Sequence, residues 1–589
     1  MEELFMRKNS LWKRCGKKAV IGTVAMSMLL GLAGCGDKEE TQHSAGGDAN
    51  ISYQQGITEA TTEAYYYESG AAMESASQIS DYAPTNDMAA DSRYEEWIEE
   101  PVDYNTSEYD DLYENSWLSV KTAPLSTFGA DVDTASYTNI RSYIVNGYEV
   151  PAGAVRIEEM INYFSYDYDE PKSGEKFAVY TEYADCPWNE DTKLALVSLN
   201  TEDIDFSEAP ESNLVFLIDT SGSMFDENKL PLVQQSLCML TENLTDKDRV
   251  SIVTYAGDDT VVLEGVKGDD YKTISAAIEG LEANGSTNGA AGIETAYELA
   301  EENFIKGGNN RVILCTDGDL NVGITSQSDL EELITDKKES GVFLSVIGVG
   351  YGNYKDNKLE TLADKGNGNY SYIDSIYEAK RALVDEMGAN MVTVAKDVKL
   401  QVEFNPENVK GYRLIGYENR TMAAEDFSDD TKDGGEMGAG HTVTAIYEIA
   451  LTDSDFEINE PELKYDNDET PDDATAEIKT DAPEDGDLMI CGGGLDSELF
   501  TVNVRYKEPE EDESKLSSYV CTVDNYTKEG SDNLRWAAAV AGFGMYLKDS
   551  EYMGDTDKKL IINLAKSVDG WEDDDYKAEF IDLVKEYED

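Results

Sequence analysis

The chain has 589 residues, with 47 Lys and Arg against 121 Asp and Glu and a formal net charge of −74. Such a field repels phosphate backbones and no basic stripe offsets it, so nucleic acid is excluded and cations or cationic and neutral surfaces remain as partners. The length allows about three folded units plus tails, and 40% apolar residues suffice for real cores, which excludes a small disulfide-stapled scaffold.

Arg7 to Lys18 carry six basic side chains, and an apolar run follows to Ala33, shorter than the roughly 20 residues of a bilayer span. It ends in Leu32-Ala33-Gly34-Cys35, which resembles a bacterial lipobox. That resemblance implies a signal peptide over 1–34, lipidation of Cys35 and an extracytoplasmic chain anchored to the cell membrane; a plain membrane anchor is the competing reading. Glu2 and Glu3 are out of place in a basic leader, which favours a true start at Met6, with Met1 the alternative. Gly36 to Asn115 holds one Leu, one Val and no Phe, too little to offset its ordering entropy by burial. Residues 35–115 therefore read as the lipidated Cys and a disordered acidic tether with a reach of roughly 50 Å, or alternatively as a binding tail.

Order is expected from Trp117, in an amino-terminal region over 116–210. Asp133 and Thr134 can cap a helix to about Asn146, with Gly147 as its stop and Pro151 beyond. A short helix from Val155 to Phe164 follows, then strands of period 2 from Phe177 to Tyr183 and Leu194 to Leu199.

Over 211–390 the pattern becomes buried strands alternating with amphipathic helices. Leu214 to Ile218, Val250 to Tyr255, Val312 to Cys315 and Phe343 to Val349 are β-branched-rich runs of a parallel sheet covered on both faces. Helices are expected along Leu230, Val233, Leu237, Leu240 and Leu244, from Ala290 to Phe304, and from Asp329 to Lys338. The alternation predicts an α/β fold with a doubly wound, mostly parallel sheet. Cys238 and Cys315 read as buried thiols.

Over 391–589 strands are predicted at Val398 to Phe404, Tyr412 to Tyr417, His441 to Ile449 and Leu499 to Tyr506, with acidic loops from Asp453 to Asp487. Helices follow at Leu534 to Leu547, Lys559 to Val568 and Tyr576 to Tyr587. A Cys491 to Cys521 bridge is one option, free thiols the other. Strands of similar character flank the α/β segment on both sides. We therefore expect those before it to pair with those after 395, making the α/β unit an insertion in a β-rich body with carboxyl-terminal helices.

The first α/β strand runs into Asp219-Thr220-Ser221-Gly222-Ser223, a D-x-S-x-S pattern at the carboxyl end of a parallel strand, where open α/β sheets bind ligands. Gly285-Ser286-Thr287-Asn288 precedes a predicted helix, and Thr316-Asp317-Gly318-Asp319 follows a predicted strand. In type, order and approximate spacing these three segments resemble the metal-ion-dependent adhesion site of the von Willebrand factor type A (VWA) domain. The resemblance implies that Ser221, Ser223 and Thr287 give hydroxyl oxygens to Mg²⁺ or Mn²⁺, with Asp219 and Asp317 acting mostly through water. Oxygen-only, near-octahedral ligation suits those ions, and carboxylates held back leave the ion enough charge to take an anionic partner oxygen. Leu118 to Phe164, with Thr127 to Tyr137 and Arg156 to Phe164, and the segments Tyr412 to Arg420 and Gly438 to Val443 further resemble a bacterial family of secreted or lipid-anchored VWA proteins.

Enzyme readings lack raw material. Asp131-Val132-Asp133 resembles a phosphatase D-x-D but has no apolar strand before it. Gly348-Val349-Gly350-Tyr351-Gly352 misses the third glycine of a dinucleotide loop and reads as a tight turn. His441 is the only histidine in the part expected to fold and reads as a satisfied polar residue on a strand, leaving no basis for a Ser-His-Asp hydrolase or a multi-histidine zinc centre. The acidic run Asp466 to Asp473 lacks the glycine and distal glutamate of a calcium loop. The expected function is a cell-surface lipoprotein, not an enzyme, that binds a protein or envelope ligand presenting an acidic group. The alternative is an envelope structural or assembly factor whose metal only stabilises the loops.

Overall fold

The computed structural model describes residues 113–587, apart from 131–132, 173, 204–208, 257–258, 286–288, 319–326, 339, 351–355, 387–391, 433, 459–494, 510 and 512. The expectations for the leader, Cys35, the tether before 113, Cys491 and the 466–473 run lie outside these residues. The chain first lays down strands β1 (Leu118–Ser119) and β2 (Leu125–Gly129), helices α1 (Ala135–Val145) and α2 (Ile157–Asn162), and the hairpin β3 (Phe177–Asp185) and β4 (Lys193–Thr201). The α/β segment follows with β5 (Ser212–Asp219), α3 (Leu230–Thr241), β6 (Arg249–Tyr255), β7 (Asp259–Lys267), α4 (Tyr271–Glu279), α5 (Gly289–Glu302) and β8 (Asn309–Thr316). It continues through α6 (Gln327–Lys338), β9 (Phe343–Val349), α7 (Asp356–Lys365), β10 (Tyr370–Ile373) and α8 (Ile376–Lys380). The chain then forms β11 (Thr393–Phe404), β12 (Val409–Ile415), β13 (Thr421–Met422), β14 (Met437–Gly438), β15 (Thr442–Leu451), β16 (Glu498–Lys507) and β17 (Ser514–Thr522). Helices α9 (Asp532–Leu547), α10 (Lys558–Lys566) and α11 (Asp575–Glu586) end it.

The α/β segment builds a six-stranded sheet in the order β10-β9-β8-β5-β6-β7. All neighbours are parallel except the edge strand β7, which returns antiparallel on β6. The central strand β5 is buried along its whole length because both faces are covered. Leu214, Phe216 and Ile218 enter the core shared with α3 and α4, while Val215 and Leu217 enter the opposite core with α5, α6 and α7. The doubly wound fold expected from the alternation is therefore present. Sequence patterning missed β7, whose residues are mostly half-buried or exposed, and the four-residue β10.

Both flanking segments contribute to two antiparallel sheets, β1-β12-β15-β4-β3 and β13-β2-β11-β16-β17. Strand β4 pairs with β15, with Val197 opposite Ala445, and β2 pairs with β11, with Phe128 opposite Leu400. The α/β segment is thus inserted between strands that pair with each other. Phe128, Leu199, Val402, Phe404, Tyr412 and Tyr447 share the core associated with these sheets. A second core joins Leu194, Leu196 and Ile446 to α1, α2 and the final helices through Tyr137, Met160, Trp536, Phe543 and Phe580. Gly544 lets α9 approach α2, since a Cβ there would lie 2.8 Å from Ile157 Cγ1.

One local reading is corrected. Asp133 does not cap α1; its carboxylate accepts from the backbone of Tyr370 at 2.8 Å and from Arg420 at 3.2 Å, and Thr134 makes no side-chain cap bond. Of the two options for Cys521, the structure has the free thiol, buried. His441 precedes β15 and is half-buried, its backbone donating to Thr201 Oγ1 at 3.0 Å.

Buried ion clusters fasten the α/β sheet to the flanking body. Arg141 on α1 pairs with Asp374 and Glu378 just beyond β10 and with Glu579 on α11, at 2.6, 2.9 and 3.0 Å. Arg156 and Arg420 converge on Glu360 of α7, at 2.8 and 3.1 Å.

Candidate metal centre

Strand β5 delivers Asp219, fully enclosed, to the carboxyl edge of the sheet. Its Oδ1 accepts from the backbone of Ser221 at 2.9 Å and its Oδ2 from Thr316 Oγ1 at 3.2 Å. Those bonds turn the chain sharply into a 3-10 turn, Gly222–Phe225, and set the Ser221 and Ser223 hydroxyl oxygens 2.9 Å apart. Ser221 is buried and Ser223 exposed, so the pair opens toward solvent. Asn284 donates to the Thr220 carbonyl at 2.7 Å and Gly222 to the Gly285 carbonyl at 3.2 Å, which docks the second predicted loop against the first. Thr287 itself lies outside the described residues.

Asp317 arrives from β8, the neighbour of β5, whose residue Cys315 is in register with Ile218. Its Oδ2 accepts from Lys229 Nζ at 2.9 Å, and the same ammonium donates to the Ser223 carbonyl at 3.0 Å. Burial pushes the Asp219 carboxyl up to about 6; the Ser221 backbone and side chain oppose the shift and the charge of Asp317 adds to it.

Four of the five predicted ligand residues, Asp219, Ser221, Ser223 and Asp317, therefore converge. Adjacent oxygens around an octahedral ion with bonds of about 2.0–2.1 Å stand about 2.9 Å apart, so the hydroxyl pair, which here shares a hydrogen bond of that length, could meet a small divalent cation without moving far. Both Asp219 oxygens accept hydrogen bonds that orient Ser221 and Thr316. Among the described residues no group of three or more His, Cys, Asp or Glu is arranged for a metal, so the fit rests on hydroxyls with supporting carboxylates. Sequence reasoning missed Lys229, because nothing in the pattern separates it from a surface lysine. It also missed Phe225, which stands 77% exposed beside the serines.

The Gly348 to Gly352 motif begins in β9, and Gly350 has a left-handed backbone, φ 79°. A Cβ there would lie 2.5 Å from Lys229 Cε, so the glycine makes room for the lysine stem.

Comparison with known proteins finds three family descriptions along the chain. They are von Willebrand factor over 103–196, von Willebrand factor type A domain over 213–386, and "Uncharacterized protein YfbK, C-terminal" over 389–589. The Escherichia coli K12 protein named "Uncharacterized protein YfbK" is 41% identical over 487 residues, 82% of this chain and 81% of that one. The voltage-dependent calcium channel subunit alpha-2/delta-2 of Mus musculus is 27% identical over 256 residues, 41% of this chain and 22% of that one. A solved von Willebrand factor type A protein from Catenulispora acidiphila is 16% identical with a TM-score of 0.38, covering 70% of this chain and 89% of that one. Domains of the matched type commonly serve adhesion and protein interaction, are mostly non-enzymatic, and typically carry a divalent-cation site in these loops.

Proposed function

The chain belongs to the YfbK family of von Willebrand factor type A proteins, and from that premise we propose that it is a lipid-anchored, extracytoplasmic binding module. It captures a protein or envelope ligand through an acidic group, in a Mg²⁺- or Mn²⁺-dependent manner. The observation that carries this reading is the hydroxyl pair of Ser221 and Ser223, 2.9 Å apart and open to solvent, with Asp219 fixed behind it. A bound cation would supply an open coordination position for an anionic oxygen. Ser221, Ser223 and Thr287 would hold it directly, while Asp219 and Asp317 orient the hydroxyls and the water around it. Exposed Phe225 offers the partner an apolar contact beside the charged one.

The test is capture from solubilised envelope extract by the anchored chain in Mg²⁺, in EDTA, and as Asp219→Ala in Mg²⁺. A partner held only by the unmutated protein with metal is expected; one held equally in all three would refute the adhesive reading. The enclosure of Asp219 favours a second contribution, in which the cation stiffens the loops of an envelope assembly factor. In that case the same substitution lowers the melting temperature and leaves capture intact. Anchoring at Cys35 predicts incorporation of a labelled fatty acid that Cys35→Ser abolishes.

A further inference from the structure

Lys229 occupies the N-cap position of α3, where Ser, Thr, Asp or Asn are favoured and a positive charge opposes the helix dipole. Violations of a local rule concentrate where function compensates for them. Here the compensation is visible. The lysine side chain is 11% exposed, and its ammonium reaches Asp317 Oδ2 at 2.9 Å, an aspartate side chain only 2% exposed. It also holds the Ser223 carbonyl at 3.0 Å, so it bridges the first and third loops of the metal centre. The stem runs over Gly350, whose missing side chain and positive φ leave the space it fills. Three loops of the sheet edge thus meet on one cation of the chain's own.

Resting on the metal-dependent reading above, we infer that Lys229 is a positioning and charge-setting residue of the site, which holds Asp317 away from the metal and keeps the loaded site positive. Asp219 and Asp317 contribute two negative charges, Lys229 one positive and a divalent ion two, which leaves one net positive charge for an anionic group. Without the ammonium the sum is zero, and Asp317 loses the charge that draws it to Lys229. The lysine therefore weakens metal binding and strengthens selection of an anion at the metal. Even at the dielectric of water, one unit charge against a dication across a few ångströms changes binding about tenfold.

The experiment uses the full chain with Mn²⁺ as the metal and acetate as the anion. Free Mn²⁺ is counted by electron paramagnetic resonance, and acetate displacement of metal-bound water is followed by proton relaxation. Lys229→Met keeps the stem and removes the charge; Lys229→Gln keeps a donor for Asp317. Both are expected to bind Mn²⁺ about tenfold more tightly than wild type and, acetate carrying one charge where the ion carries two, to need about threefold more acetate to displace water. If either variant folds only with metal, its Mn²⁺ midpoint of folding is corrected for the unfolded fraction, taken from urea unfolding in saturating Mn²⁺, before it is compared. Mn²⁺ affinity equal to or weaker than that of wild type in both variants overturns the role of Lys229 and leaves the metal reading standing. Wild type that binds no Mn²⁺ overturns both.

Discussion

Glu418 sits in the loop after β12, next to Tyr417, which has a left-handed backbone. The Tyr417 backbone donates to Glu158 Oε2 at 2.9 Å. Glu158 Oε1, Glu418 Oε2 and Glu114 Oε1 are all enclosed with no hydrogen-bond partner among the described residues. Burial pushes the Glu418 carboxyl up to about 7, the charge of Glu158 adds to this, Lys548 opposes it, and Glu114 adds again. Its folded pKa therefore lies above the unfolded one. The folded state holds the extra proton, and the stability this gives is present at low pH and lost as pH rises through about 7. From the ordinary 4.5 to about 7 the full effect is roughly 3 kcal/mol at 1.36 kcal/mol per pH unit. Glu418 as a whole is half-buried, so solvent screening brings this to about 2 kcal/mol. Glu418→Gln mimics the protonated form at every pH and offers an amide donor to Glu158. Relative to wild type, it should gain about 2 kcal/mol between pH 5 and pH 8, or roughly 2–4 °C in melting temperature. Thermal unfolding followed by tryptophan fluorescence at both pH values checks this. Parallel curves for the two proteins would refute a buried, proton-bearing Glu418.

Saturating Mg²⁺, at about 100 times its Kd, should stabilise the chain by about 2.7 kcal/mol over EDTA in calorimetry, and Asp219→Asn should erase the difference. Arg141→Met should cost about 3–5 kcal/mol in urea unfolding, because it takes the guanidinium from Asp374 and leaves Glu378 with Arg381 alone, in a cluster where the arginine side chain is only 4% exposed. A cost below about 1 kcal/mol would show that those carboxyls find other partners or protonate freely.

The meeting of Asp219, Ser221, Ser223 and Asp317 is legible because strand, turn and motif coincide within a few residues: β5 runs directly into Asp219, and β8 ends at Thr316 beside Asp317. The insertion was legible for a related reason, since period-2 strands on both sides of the α/β segment had to pair with something. Long-range polar chemistry left no such trace. Arg141 meets Glu579 438 residues away, and Asn419 meets Glu360 across 59, with no periodicity to announce either. Asp133 was read as a helix cap because capping is the commonest local use of that residue; tertiary structure instead gave its carboxylate to Tyr370 and Arg420. Edge strand β7 escaped because an edge with one covered face need not alternate cleanly.

The ion cluster at β10 and the metal centre are three strands apart, about 14 Å at the usual spacing. The ground between them is continuous. Asp374, paired with Arg141, immediately follows β10; Tyr372, two residues earlier, donates to the Gly350 carbonyl at 2.7 Å. Gly350 packs on the stem of Lys229, and Lys229 holds Asp317. Contiguity alone is not coupling, which requires that a change at one end alter the energetics at the other. Tyr372→Phe provides that change: it removes the hydroxyl that donates to Gly350 and also meets Ser142, at about 1 kcal/mol per hydrogen bond, without altering volume much. If the glycine loop sets the position of the lysine, the substitution should tighten Mn²⁺ binding as Lys229→Met does, to a smaller degree. It should then have little further effect once Lys229 is already Met. Mn²⁺ affinities of the four proteins in that cycle give the coupling energy, expected above about 0.5 kcal/mol, where about 0.3–0.5 kcal/mol is the scatter of independent sites. Additivity within that scatter would mean that the flanking body holds the sheet edge without addressing the metal centre.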